Sequence, residues 1–105
     1  MHKIGILGAG TWGTALAILL SDNGHDVTLW TKLEKEAKTL ETSRDNIKNL
    51  PGAKLPADVK ITLDLKEVCT DKDLIVMAVA SPYVRSTARE ACPYIKDGQI
   101  IVNVS

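Results

Sequence analysis

The chain has 105 residues, 45% of them apolar, and its 13 Lys and Arg balance 13 Asp and Glu. Such a length holds one domain with one ordinary core, and the composition excludes a disordered chain. No basic surplus stands ready to neutralise phosphates, so a nucleic-acid partner is not expected.

Residues 3–7 form a short apolar run of the kind buried on both faces of a sheet. The glycine cluster Gly8-Ala9-Gly10-Thr11-Trp12-Gly13 follows at once. Trp12, Ala15, Leu16, Leu19 and Leu20 then repeat at helical spacing, with Gly24 as a stop. The apolar run at 15–20 is far below the roughly 20 residues that span a bilayer, so membrane insertion is not expected. Residues 26–30 read as a second strand, which completes a unit of the βαβ kind.

Residues 33–42 are rich in Lys and Glu and predict a helix with Leu33, Ala37 and Leu40 on one face. Pro51-Gly52 and Pro56 mark 46–58 as an irregular excursion. A weak third strand is expected at 59–62, then a short helix capped by Asp64 and running through Cys69. Residues 73–79 are the clearest buried strand. Ser81-Pro82 opens a helix to about Ile95, which Pro93 should end or bend, and a last strand is expected at 99–104. Strands alternating with helices imply an α/β fold: a doubly wound parallel sheet of about five strands in the order 3-2-1-4-5, lacking a sixth strand. Residues 1–105 then form one domain.

Cys69 and Cys92 have neither CxxC spacing nor a nearby histidine. They read as buried or half-buried free thiols of a reducing compartment, which makes the cytoplasm the default location, and no metal site is expected.

The chemistry concentrates in the first turn. Gly8, Gly10 and Gly13 form a GxGxxG that follows a strand and opens a helix, the context that gives this motif its meaning. The first glycine permits the tight turn, the second lets backbone approach a pyrophosphate, and the third lets helix and strand pack closely. Free amides at Thr11 and Trp12, with the helix dipole behind them, would face the pyrophosphate. The Trp12 ring reads equally as core or as a cofactor contact. A selective NAD site carries Asp or Glu at the end of the second strand, where this chain has Trp30-Thr31-Lys32. Asp26 is at the wrong end of that strand and Glu34 lies in the next helix. Lys32 puts a positive charge where a ribose 2′-phosphate would sit, so the expected cofactor is NADP or NAD, with NADPH favoured. The plainer alternative is a solvated lysine among Lys32, Lys35 and Lys38.

Three segments together resemble bacterial NAD(P)-dependent glycerol-3-phosphate dehydrogenase. They are Gly8-Ala9-Gly10-Thr11-Trp12-Gly13-Thr14-Ala15-Leu16-Ala17, Asn23-Gly24-His25-Asp26-Val27-Thr28-Leu29-Trp30, and Leu50-Pro51-Gly52 with Lys54-Leu55-Pro56. The tryptophan inside the glycine motif and the LPG-x-KLP segment are more specific than GxGxxG. The likeness implies a Rossmann-type domain of an oxidoreductase that interconverts dihydroxyacetone phosphate and glycerol 3-phosphate, supplying phospholipid synthesis. It also implies cofactor contacts at Thr11, Trp12, Lys32 and Tyr83. Ala80 departs from the family's usual proline. Family members continue after a strand like Val102-Asn103-Val104-Ser105 with Lys-Gly, whose lysine serves the active site, and then with a helical C-terminal domain.

No catalytic residue is therefore assigned within the chain. His2 lies at the N-terminus, and His25 sits in a turn at the end of the sheet opposite the ligand crevice. The isolated chain is expected to bind dinucleotide weakly and not to turn over. An unpaired final strand would leave apolar surface open to self-association, with a homodimer as one form. Two rival readings remain: another NAD(P)-dependent hydroxyacid or ketoacid reductase, and a non-catalytic Rossmann nucleotide sensor. The LPG-x-KLP segment argues against the first. Thr31-Lys32, in place of an acidic residue, argues against the second.

Overall fold

Strands joined by crossover helices must run parallel, because each helix carries the chain back to the edge from which it started. The computed structural model describes residues 2–9, 11–43, 56, 58–79, 81–96 and 98–103. Its strands are β1 (Lys3–Leu7), β2 (Asp26–Trp30), β3 (Lys60–Thr62), β4 (Leu74–Met77) and β5 (Ile100–Asn103). They form one parallel sheet in the expected order, β3-β2-β1-β4-β5. The helices are α1 (Thr11–Asp22), α2 (Glu34–Ser43), α3 (Leu65–Cys69) and α4 (Val84–Ala91). None of the described helices is long and apolar enough to cross a membrane.

Side chains alternate between the two faces of a strand, so each strand feeds two cores. Ile4, Ile6, Val27, Leu29, Ile61 and Val76 pack on one face against Ala17 of α1 and Ala37 and Leu40 of α2. Leu7, Trp30, Ile75 and Met77 pack on the other against Val68 and Cys69 of α3 and Ala91 of α4. Each fully buried Leu or Ile among them contributes about 1.5–3 kcal/mol. The helices thus divide two and two between the faces, with the change of side falling between β1 and β4.

Element ends follow local chemistry. A Schellman closure ends α1, with Gly24 N–H donating to the Ser21 carbonyl and His25 N–H to that of Leu20. Asp64 caps α3, its carboxylate accepting from the Lys66 amide at 2.9 Å. The fourth helix is shorter than expected. Ser81–Tyr83 form a 3-10 turn before it, and Cys92–Tyr94 form another after it, where Pro93 has no amide to continue the ladder. Ile100, Ile101 and Val102 on the outermost strand are exposed, an apolar edge of the kind that invites pairing.

Two expectations of burial need correction. Leu33 was expected on the core face with Ala37 and Leu40, yet it precedes α2 and is 60% exposed. Cys92 was expected to be at least half-buried, yet it is exposed. It stands one residue past the buried Ala91, and one helical step turns it outward. Cys69 is buried, and loss of solvation pushes its thiol up, against the opposing charge of Lys72. A thiol reagent should therefore label Cys92 in the native chain and reach Cys69 only on unfolding. Equal, rapid labelling of both would contradict this packing.

The amino ends of β1 and β4 are clamped by Asp73. Its carboxylate accepts from the Lys3 amide at 2.8 Å, and its own N–H donates to the Lys3 carbonyl at 2.7 Å. The Lys3 amide holds the Asp73 carboxyl below its ordinary value, partly opposed by desolvation and aided by His2. A depressed carboxyl adds stability that is complete above the unfolded-chain pKa and fades as pH falls through the lowered one. Asp73→Asn should flatten the acid limb of stability below about pH 4. Thermal melts across that range check it, and an unchanged limb would contradict the clamp.

Candidate functional site

In an open parallel sheet the crevice for ligands lies beyond the carboxyl ends of the strands, where successive crossovers depart to opposite faces. Here that place is the gap between β1 and β4. Their pairing ends at Leu7 and Met77. Ala78 N–H still donates to the Leu7 carbonyl, and Gly8 N–H donates to that of Trp30 at 2.9 Å. Then the chains part, β1 into the glycine turn and β4 toward α4. A cavity of about 400 Å³ opens between them, within the range of small-molecule sites.

Its floor is Gly8 and Ala9. Gly8 has φ +118°, and a Cβ there would lie 2.8 Å from the Ala78 backbone carbonyl. Gly13 is buried within α1, where a Cβ would stand 1.8 Å from the Gly8 carbonyl oxygen. Both glycines are therefore sterically required. Thr14 adds a tie, its buried hydroxyl donating to the Ala9 carbonyl at 3.1 Å. The result fixes the amino end of a 12-residue helix against the turn, with its positive dipole end toward the crevice.

One wall comes from the end of β2. Thr31 is buried, its N–H donates to the Thr62 carbonyl, and its hydroxyl accepts from the Leu33 amide at 3.2 Å. This bend leaves Lys32 exposed at the lip with Leu33 beside it. Trp30 anchors the wall from below: it is buried, and Nε1 donates to the Leu63 carbonyl at 3.0 Å. The facing wall comes from the end of β4 and the start of α4, with Val79, Tyr83, Ser86 and Thr87 on the cavity. Tyr83 is 60% exposed.

Of the residues singled out in the sequence, Gly8, Lys32 and Tyr83 share this one cavity, and Gly13 packs beneath it. The backbones of Thr11 and Trp12 begin α1. Gly10, Ala80 and Leu50-Pro51-Gly52 with Lys54-Leu55 lie outside the described residues. His2 and His25 sit far from the cavity at the amino ends of the strands. There the His2 amide donates to His25 Nδ1 at 3.1 Å and the two rings stack. Among the described residues no cluster of three or more His, Cys, Asp or Glu could hold a metal. Sequence reasoning missed Leu33, Ser86 and Thr87. The last two stand three and four residues after Tyr83, the spacing that shares a helix face, and that was the available signal.

A glycine turn that opens a helix at the switch point of a 3-2-1-4-5 parallel sheet defines a Rossmann-type dinucleotide-binding protein. The family model for the NAD-dependent glycerol-3-phosphate dehydrogenase N-terminus matches residues 3–105, and the chain belongs to that family. It is 52% identical over its whole length to glycerol-3-phosphate dehydrogenase [NAD(P)+] 2 of Lactobacillus delbrueckii subsp. bulgaricus, covering 31% of that protein. It is 49% identical to the glycerol-3-phosphate dehydrogenase [NAD(P)+] of Fusobacterium nucleatum, again over its whole length and 31% of the relative. The crystal structure of glycerol-3-phosphate dehydrogenase from Coxiella burnetii superposes with a TM-score of 0.91. That comparison covers 97% of this chain and 31% of that one, at 31% identity. The chain thus spans about a third of the length of the relatives it matches.

Proposed function

We propose that residues 1–105 are the dinucleotide-binding unit of an enzyme that interconverts dihydroxyacetone phosphate and glycerol 3-phosphate, with NADPH preferred to NADH. The observation that carries this reading is one cavity holding both the Gly8 turn and Lys32. In that arrangement the turn and the start of α1 receive the pyrophosphate through backbone amides at Thr11 and Trp12. Gly10 allows close approach, Gly13 seats the helix, and Lys32 meets the 2′-phosphate as a point charge. Leu33 and Tyr83 offer exposed apolar surface to the adenine. The nicotinamide supplies the hydride, and this chain binds and orients it. The enzyme works in the cytoplasm, without nucleic-acid or membrane partners, and feeds glycerophospholipid synthesis.

Nicotinamide absorbance tests the substrate. A protein carrying residues 1–105 as its N-terminal part should oxidise NADPH with dihydroxyacetone phosphate and not with ketopantoate. The reverse preference would contradict the proposal. The isolated chain should bind without turnover, so rapid oxidation by it would contradict the placement of the proton donor outside these residues.

A further inference from the structure

Thr87 is 5% exposed and lines the cavity, yet among the described residues its hydroxyl has no hydrogen-bond partner. A helical threonine ordinarily satisfies its hydroxyl on the carbonyl four residues back, here that of Tyr83. That carbonyl instead accepts from the neighbouring Ser86 hydroxyl at 3.2 Å. Thr14, Thr31 and Thr62 are buried too, and each has a side-chain bond. Thr28 has none, but it does not line this cavity. A buried hydroxyl without a partner costs free energy until one arrives, and Thr87 borders the crevice.

We propose that the Thr87 hydroxyl hydrogen-bonds the adenosine half of the bound dinucleotide and helps set affinity for it. This inference rests on the dinucleotide reading of the cavity. The adenosine half is assigned because Thr87 shares its cavity with Lys32 and Leu33, which follow β2. A hydroxyl both donates and accepts, so it can meet a purine ring nitrogen or the exocyclic amine. Ser86, tied to its own helix, holds the Tyr83 turn in place and leaves the ligand contact to Thr87.

The test compares Thr87→Val, which keeps the shape and removes the hydroxyl, with Thr87→Ser, which keeps the hydroxyl. Each variant and the parent chain are titrated with NADPH and with adenosine 2′,5′-bisphosphate, and melted without ligand. Thr87→Val should weaken both ligands about five- to tenfold, the worth of one hydrogen bond, while Thr87→Ser stays within about twofold of the parent. The unliganded melting temperature of Thr87→Val should hold or rise, because it loses an unmet polar group and no bond. A purely structural threonine would give the opposite pattern, lower stability with unchanged affinity, and that result overturns the proposal. If the parent binds and Thr87→Val binds as tightly, the Thr87 contact alone fails. If the parent binds neither ligand, the functional reading fails and takes this contact with it.

Discussion

Gly13→Ala should lower the melting temperature by about 10 °C, a loss of about 2 kcal/mol, and weaken dinucleotide binding more than tenfold. Intrinsic helix preference predicts the opposite sign. Alanine within a helix is favoured over glycine by about 0.8–1.0 kcal/mol, and Gly13 lies inside α1. What reverses the sign is the contact. The new Cβ would stand 1.8 Å from the Gly8 carbonyl oxygen, a backbone atom with no rotamer to yield. The Gly8 turn is itself pinned by the hydrogen bond that its N–H donates to the Trp30 carbonyl, so α1 must move as a body. That movement also breaks the Thr14 tie to Ala9 and draws the helix amides away from the pyrophosphate. Thermal melts and an NADPH titration check both halves. A raised melting temperature would show that the turn and helix do not meet as described.

Lys32→Ala should weaken NADPH about tenfold and leave NADH within about twofold. A hydrogen bond to a charged group contributes about 1.5–3 kcal/mol, and the exposure of Lys32 cuts this to about 1–1.5 kcal/mol. The discrimination follows from charge: only NADPH carries the 2′-phosphate, and no carboxylate ends β2 to receive a free 2′-hydroxyl. Screening gives a second readout, since the NADPH advantage of the parent chain should shrink as salt rises, and that of Lys32→Ala should scarcely change. Equal loss for both cofactors would mark Lys32 as a solvated lysine with no role at the phosphate.

The strands nearest the site were legible in the sequence because burial on both faces leaves a continuous apolar run. Residues 3–7 and 26–30 were read with the bounds they have. The fourth strand was read too long, since its apolar run continues past the point where its partner leaves. Beyond Met77 the neighbouring chain is already in the Gly8 turn, so Ala78 makes one last bond, to the Leu7 carbonyl, and then borders the crevice with Val79. Leu33 misled for a related reason. Its apolar character fits a helical stripe, but the Thr31 bend places it before α2 begins. Of the site, the glycine turn and Lys32 could be read from spacing and from the rule that ligands meet strand carboxyl ends. Of the α4 wall, the spacing of Ser86 and Thr87 after Tyr83 was a signal, but a Thr87 hydroxyl without a partner becomes visible only in the structure, where Ser86 and not Thr87 bonds the Tyr83 carbonyl.

The most direct test is to titrate the purified 105-residue chain with NADPH and with NADH, following nicotinamide fluorescence. The account predicts saturable binding of both, tighter for NADPH. Binding of neither cofactor would contradict the claim that the Gly8 turn and Lys32 form a dinucleotide site within these residues.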